Sequence, residues 1–376
     1  MKRIISFILF LSLLFSVFAV NTVATSVSAK AAVVICGDTG EIVYSKNADT
    51  RLSMASTTKI MTGLILCEKA DLNKEITVTA EMLRVEGSSM GLLAGDRITF
   101  CDLLYGLMLC SGNDAANVIA YSLAGTVDGF AKMMNEKARD IGLKNTNFVT
   151  PSGLDSNEHY TTAYDLAMLT REALKNEDFA KCVATKSATL CFGNPPYKRT
   201  VTNHNKLLGS LDGVIGVKTG FTKKSGRCLV TAARKDGKYV IAVTLNAPND
   251  WQDHKMLLNL GLGSVNRVEI KPDSEYLRIP VIGGDSDYVL AQTKAYTIST
   301  LDKDGFSAEV ITPQFLYAPV KKGDKIATVL YKSGDSVIKE TPVFATTDIV
   351  SVKYKETFYN LIIKNIKDIF LKIWET

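Results

Sequence analysis

Apolar residues follow helical spacing in the middle of the chain and short alternating runs on either side of it. Positions 60, 61, 64 and 65 are apolar and follow the polar segment 56–59, which predicts a buried helix with Ser56 in its first turn. The apolar segments 103–109 and 115–123 are each long enough for a helix, and a polar pair, Ser111-Gly112, interrupts them. Helices are therefore expected from about residue 56 to residue 176.

Strand-like runs flank this helical region. Residues 32–36 and 41–45 surround a glycine-rich turn, and residues 226–233 and 238–245 surround Asp236-Gly237, so both pairs predict β-hairpins. The run Val214 to Val217 indicates another strand. Strands at both ends with helices between them are the order expected when the ends of one domain pair in a single antiparallel sheet.

The C-terminal third changes character twice. From Lys271 to about Thr346, short strands alternate with Gly- and Asp-containing turns, which predicts a small all-β domain without catalytic residues. The last 24 residues then predict an amphipathic helix that could lie in a membrane interface, with packing against the protein or a second copy as the alternative. Its apolar stripe consists of Phe358, Leu361, Ile362, Ile366, Ile369, Phe370, Ile373 and Trp374.

The first 29 residues have the pattern of a secretory signal peptide. A basic start precedes the apolar stretch Ile4 to Val20, and Val27-Ser28-Ala29 offers a cleavage site after Ala29. An uncleaved anchor is the alternative, because this stretch approaches the length that spans a bilayer. Removing Lys2 and Arg3 lowers the formal net charge from +5 to +3, which does not favour nucleic-acid binding.

Cysteine and histidine usage gives no sign of a metal site. Seven cysteines cannot all pair internally, and the expectation is buried free thiols. Cys101 and Cys110 would lie on opposite faces of one helix, about 13.5 Å apart, too far for a disulfide. Cys110 adjoins Ser111 and is a candidate modifiable thiol. The three histidines are widely separated, so we expect neither a metal nor another cofactor.

Three short polar signatures carry the candidate chemistry. A serine and a lysine three residues apart on a helix are neighbours, so the amine can accept the hydroxyl proton once burial or a nearby ammonium lowers the lysine pKa. Each signature alone is weak, since Ser336 and Lys339 also match the first, but in an alternating strand that would separate them. The signatures are Ser56-Thr57-Thr58-Lys59, Ser111-Gly112-Asn113 and Lys218-Thr219-Gly220.

With their surrounding sequence, these signatures resemble the penicillin-binding D-alanyl-D-alanine carboxypeptidases, active-serine enzymes of low molecular mass related to class A β-lactamases. The likeness covers roughly residues 31–262 and includes the segments 153–155 and 161–166. Residues 245–251 are similar to members associated with sporulation in Gram-positive bacteria. The resemblance implies a β-lactamase-like α/β fold, with an antiparallel sheet flanked by helices and a helical subdomain. The expected divisions are 1–29, 30–270, 271–346 and 347–376.

The resemblance also implies roles for the signature residues. Ser56 would attack the terminal D-Ala-D-Ala bond of a peptidoglycan stem pentapeptide, Lys59 would accept its proton, and Ser111 would relay a proton to the leaving amine. The backbone N–H groups of Ser56 and Phe221 would form the oxyanion hole. β-Lactam antibiotics would inhibit the enzyme. It would be exported and would act on the outer face of the cytoplasmic membrane. Substrate contacts are implied for Asn113, Lys218, Thr219, Gly220 and Phe221.

The chain departs from many relatives, which carry histidine where it has Ser152 or Phe221, and it has no clear arginine counterpart around Asp250 to Lys255. A β-lactamase is the first alternative, but it commonly needs a glutamate to hold its deacylating water, and the interval offers only Glu158 in the wrong context. A non-catalytic penicillin-sensing or wall-binding receptor is the second. The intact Ser56 and Lys59 argue against it.

Overall fold

A computed structural model describes residues 27–352 and 357–374. The N-terminal part is a mixed α/β domain. Its strands are β1 (Ala31–Cys36), β2 (Ile42–Lys46), β3 (Glu75–Thr77), β4 (Arg97–Thr99), β5 (Ser187–Gly193), β6 (Pro196–Thr202), β7 (Val214–Thr222), β8 (Gly226–Lys235) and β9 (Lys238–Leu245). Its helices are α1 (Lys59–Lys69), α2 (Phe100–Leu109), α3 (Asn113–Ala124), α4 (Val127–Ile141), α5 (Ala163–Ala173), α6 (Glu177–Ala184) and α7 (Asp250–Ser264).

The central sheet joins the two ends of this domain. Its strand order is β2-β1-β9-β8-β7, and every neighbouring pair is antiparallel. All six residues of β1 are buried because both faces of the sheet are covered. Val33 packs with Leu64 and other residues of the helical region, whereas Val34 packs with Leu257 of α7 on the opposite face. The predicted antiparallel sheet and both of its hairpins are confirmed.

The α/β domain also contains strands that the sequence analysis did not predict. A second sheet has the order β3-β4-β5-β6, and β5 and β6 form a seven-residue hairpin with Ser187 opposite Thr202. Polar side chains cap the N-termini of several helices. The Thr99 side chain accepts the Asp102 N–H at the start of α2, and Thr162 does the same for Asp165 in α5.

The C-terminal part is an all-β domain, as predicted. Its core contains Ile279, Val289 and Val329, and β10, which begins at Asn266, pairs with β13. The strands are β10 (Asn266–Ile270), β11 (Tyr276–Ile282), β12 (Tyr288–Gln292), β13 (Tyr296–Thr300), β14 (Phe306–Ile311), β15 (Leu316–Tyr317), β16 (Lys325–Ser333) and β17 (Ser336–Phe344).

A helix, α8 (Thr357–Trp374), follows the all-β domain. Its side chains Ile366, Phe370 and Trp374 are exposed. Among the described residues, no helix has the length and hydrophobicity required to cross a bilayer.

Residues 1–26 of the predicted signal peptide (1–29) lie outside the described residues, whereas its last three residues, 27–29, are described. Val27 and Ala29 are buried, and Ser28 donates through its hydroxyl to Asp253 Oδ2 at 2.7 Å. The Ala29 N–H donates to the same carboxylate. Cleavage after Ala29 would remove these contacts, whereas cleavage before Val27 would keep them.

Candidate active site

The first signature lies at the junction of a short 3₁₀ turn and helix α1. The turn comprises Ala55–Thr58, and Lys59 is the first residue of the helix. Ser56 therefore lies in the 3₁₀ turn before the helix and not, as predicted, in the first turn of the helix. It is nevertheless close to Lys59, as expected. Lys59 Nζ lies 2.9 Å from Ser56 Oγ. Ala55, directly before the serine, has φ +49°, and such strained residues cluster at functional sites.

Lys59 is completely buried and has two further polar partners. Its Nζ donates to Asn113 Oδ1 at 2.7 Å and to the Ser152 carbonyl at 2.7 Å. Burial lowers the pKa of Lys59 well below its ordinary value, and the charge of Lys218 lowers it further. Both causes are those that the sequence indicated for a lysine acting as a base.

The second signature occupies the tight connection between α2 and α3. Ser111 has φ +62° and is buried, and Asn113 begins α3. Asn113 Nδ2 also donates to the Glu86 carbonyl at 2.6 Å. The next residue, Asp114, accepts the N–H groups of residues 90, 91 and 92, so it holds the loop that borders the cleft.

The sequence predicted a strand over Val214 to Val217. The strand β7 is longer and includes the third signature. Lys218 is 2% exposed, and burial lowers its pKa to about 8. A Cβ atom on Gly220 would lie 3.0 Å from the Ser56 nitrogen and 3.1 Å from the Thr57 nitrogen. Glycine is therefore required here for the strand to pass close to the 3₁₀ turn. This approach brings Thr219 into the cleft beside Ser56.

A buried histidine holds the segments on either side of the serine–lysine pair. His159 Nδ1 accepts the Val149 N–H at 2.9 Å, so the proton of the neutral ring is on Nε2, 2.8 Å from Thr58 Oγ1. Burial lowers the pKa of His159 to about 4, which keeps the ring neutral. The ring thus connects the 3₁₀ turn to the loop whose Ser152 carbonyl contacts Lys59.

The cleft has a volume of about 510 Å³, and its lining includes Arg227 and Asp250, which the sequence analysis did not name as site residues. Arg227 on β8 lines the cleft and lies 3.7 Å from Asp250 at the start of α7. Residues 250–255 contain no arginine, whereas Arg227 lies on β8, opposite Phe221 of β7. Of the residues that line the cleft, all of them described, Asp250 is the only one with a carboxylate.

Two other sequence expectations can be compared with the structure. All seven cysteines lie within the described residues and are free thiols. Cys110 donates to the Gly106 carbonyl, and burial raises the pKa of its thiol, which disfavours a reactive thiolate beside the cleft. Glu158, the glutamate considered for a β-lactamase, is exposed and does not line the cleft.

Comparison with known proteins agrees with the geometry. Residues 18–249 match the D-alanyl-D-alanine carboxypeptidase family, and residues 269–351 match the C-terminal domain of penicillin-binding protein 5. The chain is 33% identical over 335 residues to D-alanyl-D-alanine carboxypeptidase DacF of Bacillus subtilis, covering 85% of this chain and 86% of that protein. It is 31% identical to DacC of Escherichia coli over 348 residues, covering 87% and 85% respectively.

Solved structures give the same assignment. The D-alanyl-D-alanine carboxypeptidase DacD of Francisella tularensis superposes with a TM-score of 0.61 at 26% identity, covering 87% of this chain and 95% of that one. The Streptomyces K15 DD-transpeptidase also gives 0.61, at 34% identity, over 63% of this chain and 98% of its own. The chain therefore belongs to the D-alanyl-D-alanine carboxypeptidase family and is a penicillin-binding enzyme of the serine type.

Proposed function

We propose that Ser56 is the nucleophile that removes the terminal D-alanine from peptidoglycan stem pentapeptides, with Lys59 as its base. The observation that carries this proposal is the 2.9 Å contact between Ser56 Oγ and a lysine whose pKa is lowered by complete burial. The hydroxyl proton passes to Lys59 as Ser56 attacks the D-Ala-D-Ala carbonyl. The tetrahedral intermediate then collapses, the C–N bond breaks and the protonated amine of the terminal D-alanine departs, after which water hydrolyses the acyl-enzyme.

The partners of Lys59 explain how it can accept a proton. A neutral amine has two N–H bonds and one lone pair. Asn113 Oδ1 and the Ser152 carbonyl are both acceptors, so they take the two N–H bonds. The lone pair is then left for Ser56, whose O–H donates to it. This arrangement orients the base before the substrate binds.

The remaining groups of the cleft suit the other parts of the substrate. The Ser56 and Phe221 N–H groups would stabilise the tetrahedral oxyanion, because Gly220 lets β7 approach the 3₁₀ turn. Ser111 would pass a proton to the leaving amine, and Asn113 would hold the substrate amide. The terminal carboxylate would lie against Lys218 and Thr219, and we add Arg227 as a second cation at the rim.

Peptide mapping after exposure to penicillin tests the nucleophile. We expect one penicilloyl adduct, on Ser56, and none in Ser56→Ala. Incubation with a stem pentapeptide should release one D-alanine per peptide and leave the tetrapeptide. An adduct on another residue would contradict the assignment of Ser56, and rapid turnover of penicillin would favour the β-lactamase alternative.

We further propose that the enzyme is exported through a signal peptide and that α8 lies on the outer face of the cytoplasmic membrane. Ile362, Ile366, Ile369, Phe370 and Trp374 are exposed and share one stripe of this helix. Each large apolar side chain contributes about 1.5–3 kcal/mol when fully buried, so partial insertion of several can hold the helix at an interface.

Vesicle co-sedimentation tests this membrane role. The full chain should bind anionic vesicles, and a chain that ends at Val352 should stay in solution with nearly unchanged activity on a small soluble peptide. Equal solubility of both chains would contradict the anchoring role. Loss of activity on truncation would instead show that α8 supports the enzyme's own packing.

A further inference from the structure

A second cavity, of about 780 Å³, lies at the junction of the α/β and all-β domains. Arg171 of α5, Arg234 of β8 and Lys238 of β9 line it from the first domain. Tyr296 of β13 and Lys339 of β17 line it from the second. We name this space the junction cavity. Its size is within the range of small-molecule sites, which often form between domains.

Positive charge dominates the lining of the junction cavity. Five basic side chains line it against two acidic ones, Asp38 and Glu340. Within residues 27–352, neither Arg171 nor Arg234 forms an ion pair with a carboxylate. Because a guanidinium cannot lose its proton in a protein, both arginines carry a permanent charge facing this space.

The two arginines are held in place by contacts that leave them available to a ligand. Arg171 Nε donates to the Gly37 carbonyl at 3.1 Å and its Nη2 donates to the Asp38 carbonyl, which fixes one edge of the guanidinium and leaves Nη1 for a ligand. Arg234 stacks on the Tyr239 ring, with 3.7 Å between its Cζ and the ring centroid. Stacking orients a guanidinium without using its N–H donors, so Arg234 retains them for an anion.

Hydroxyl donors lie beside these charges. The buried Tyr239 hydroxyl lies near the Arg234 guanidinium but forms no hydrogen bond of ordinary geometry with the described residues, and burial raises the pKa of Tyr239 to about 12, so it stays protonated. Tyr296 and Tyr239 line the cavity together with both arginines and with Asp38. A buried unsatisfied hydroxyl is unfavourable unless something pairs with it.

We propose that the junction cavity binds a phosphate group and that the bound phosphate strengthens the docking of the two domains. Guanidinium groups bind phosphate oxygens through paired N–H donors, and a lining with three more basic than acidic side chains favours an anionic ligand. Lys339 belongs to the all-β domain, whereas both arginines belong to the α/β domain. A phosphate contacting all three would therefore link the domains.

Calorimetric titration of the full chain with inorganic phosphate, at ionic strength held constant with NaCl, tests the site. We expect saturable binding and a melting temperature that rises with phosphate. Arg234→Gln and Lys339→Gln should each raise the Kd about tenfold, the effect of losing one charge-assisted hydrogen bond. Arg199→Gln is the matched control, because Arg199 also stacks on rings, at 4.1 Å from the Phe192 and Tyr197 centroids, but does not line the cavity.

Three further probes identify the source and the chemistry of the ligand. Binding of poly(glycerol phosphate) that competes with inorganic phosphate would indicate a phosphodiester wall polymer, and competition by phosphatidylglycerol vesicles would indicate a lipid headgroup. Competition by neither indicates free phosphate. Citrate binding as tight as that of phosphate would overturn the phosphate assignment. A phosphate effect equal to that of NaCl, or equal in Arg234→Gln and Arg199→Gln, would overturn the site itself.

Discussion

Two groups of basic side chains in this protein occupy opposite environments. In the cleft, Lys59 and Lys218 are 0% and 2% exposed, and burial lowers the pKa of both. In the junction cavity, Arg234 is exposed and Arg171 is partly exposed, and both keep their charge. A base needs a side chain that can lose its proton, whereas an anion site needs a fixed charge. Lys59 meets the first requirement, and Arg171 and Arg234 meet the second.

Substitutions of Lys59 should give the largest effect. Lys59→Arg keeps a cation in the cleft but removes the base, because a guanidinium cannot deprotonate. We expect both Lys59→Arg and Lys59→Ala to slow acylation by a fluorescent penicillin about 10²–10⁴-fold, the usual contribution of a general base. Circular dichroism should show an intact fold in the alanine variant. Rapid acylation of Lys59→Arg would contradict the assignment of Lys59 as the base.

The burial of Lys218 should lower the stability of the protein. Its folded pKa, about 8, is below the unfolded value of 10.5, so the unfolded state binds more protons between these values and stability rises with pH in that window. Below pH 8 the full penalty is present, about 3 kcal/mol at 1.36 kcal/mol per unit. Lys218→Met should therefore be more stable by about this amount at pH 7, with the gain vanishing above about pH 10.5.

Denaturant unfolding of the wild type and Lys218→Met at pH 7 and pH 10.5 measures this difference. The variant should also lose affinity for the substrate carboxylate. A Lys218→Met protein that is less stable than the wild type at pH 7 would show that the ammonium is well solvated or paired, contrary to the account above.

His159 should act on the rate through position alone. His159→Ala removes the links to Thr58 and Val149, and we expect acylation to slow about 10²-fold, because small misplacements of reacting groups have effects of this size. His159→Gln, which can both donate and accept, should restore part of the rate. Penicillin affinity should change little in either variant. Equal rates for Ala and Gln would contradict a role for these hydrogen bonds.

Arg227 should have the smallest effect. Its side chain is half exposed at the rim, so water competes for its charge. We expect Arg227→Gln to raise KM for the pentapeptide about tenfold, equivalent to 1.4 kcal/mol, and to leave kcat nearly unchanged. Steady-state kinetics measures the split. A fall in kcat with unchanged KM would move Arg227 from substrate binding to the chemical step.

The sequence was sufficient for the elements whose signals are local. The hairpin around Asp236-Gly237 has its turn residues in place, and the helix after Ser56 has its apolar spacing, so both were predicted. The β5–β6 hairpin lacks alternation, since exposed residues occupy most of β6, and it was missed. Its stability depends on packing against α2 and β4, which no short window of sequence contains.

The candidate site shows the same division. Ser56, Lys59, Asn113 and Lys218 could be predicted as candidates because their residue types occur at fixed spacing within short signatures. Arg227 was missed because its relevance depends on strand pairing, which places it opposite Phe221 and within reach of a carboxylate on α7. The roles of His159 and Gly220 likewise appear only when separate segments are brought together.

Burial is expected to keep Lys59 uncharged, so that its amine can accept the Ser56 proton. NMR titration of the protein labelled with ¹³C at the lysine Cε positions, with Lys59→Ala to assign the signal, measures this pKa directly. We expect the Lys59 signal to titrate far below those of the exposed lysines. A Lys59 amine that titrates near 10.5, together with them, would contradict this expectation.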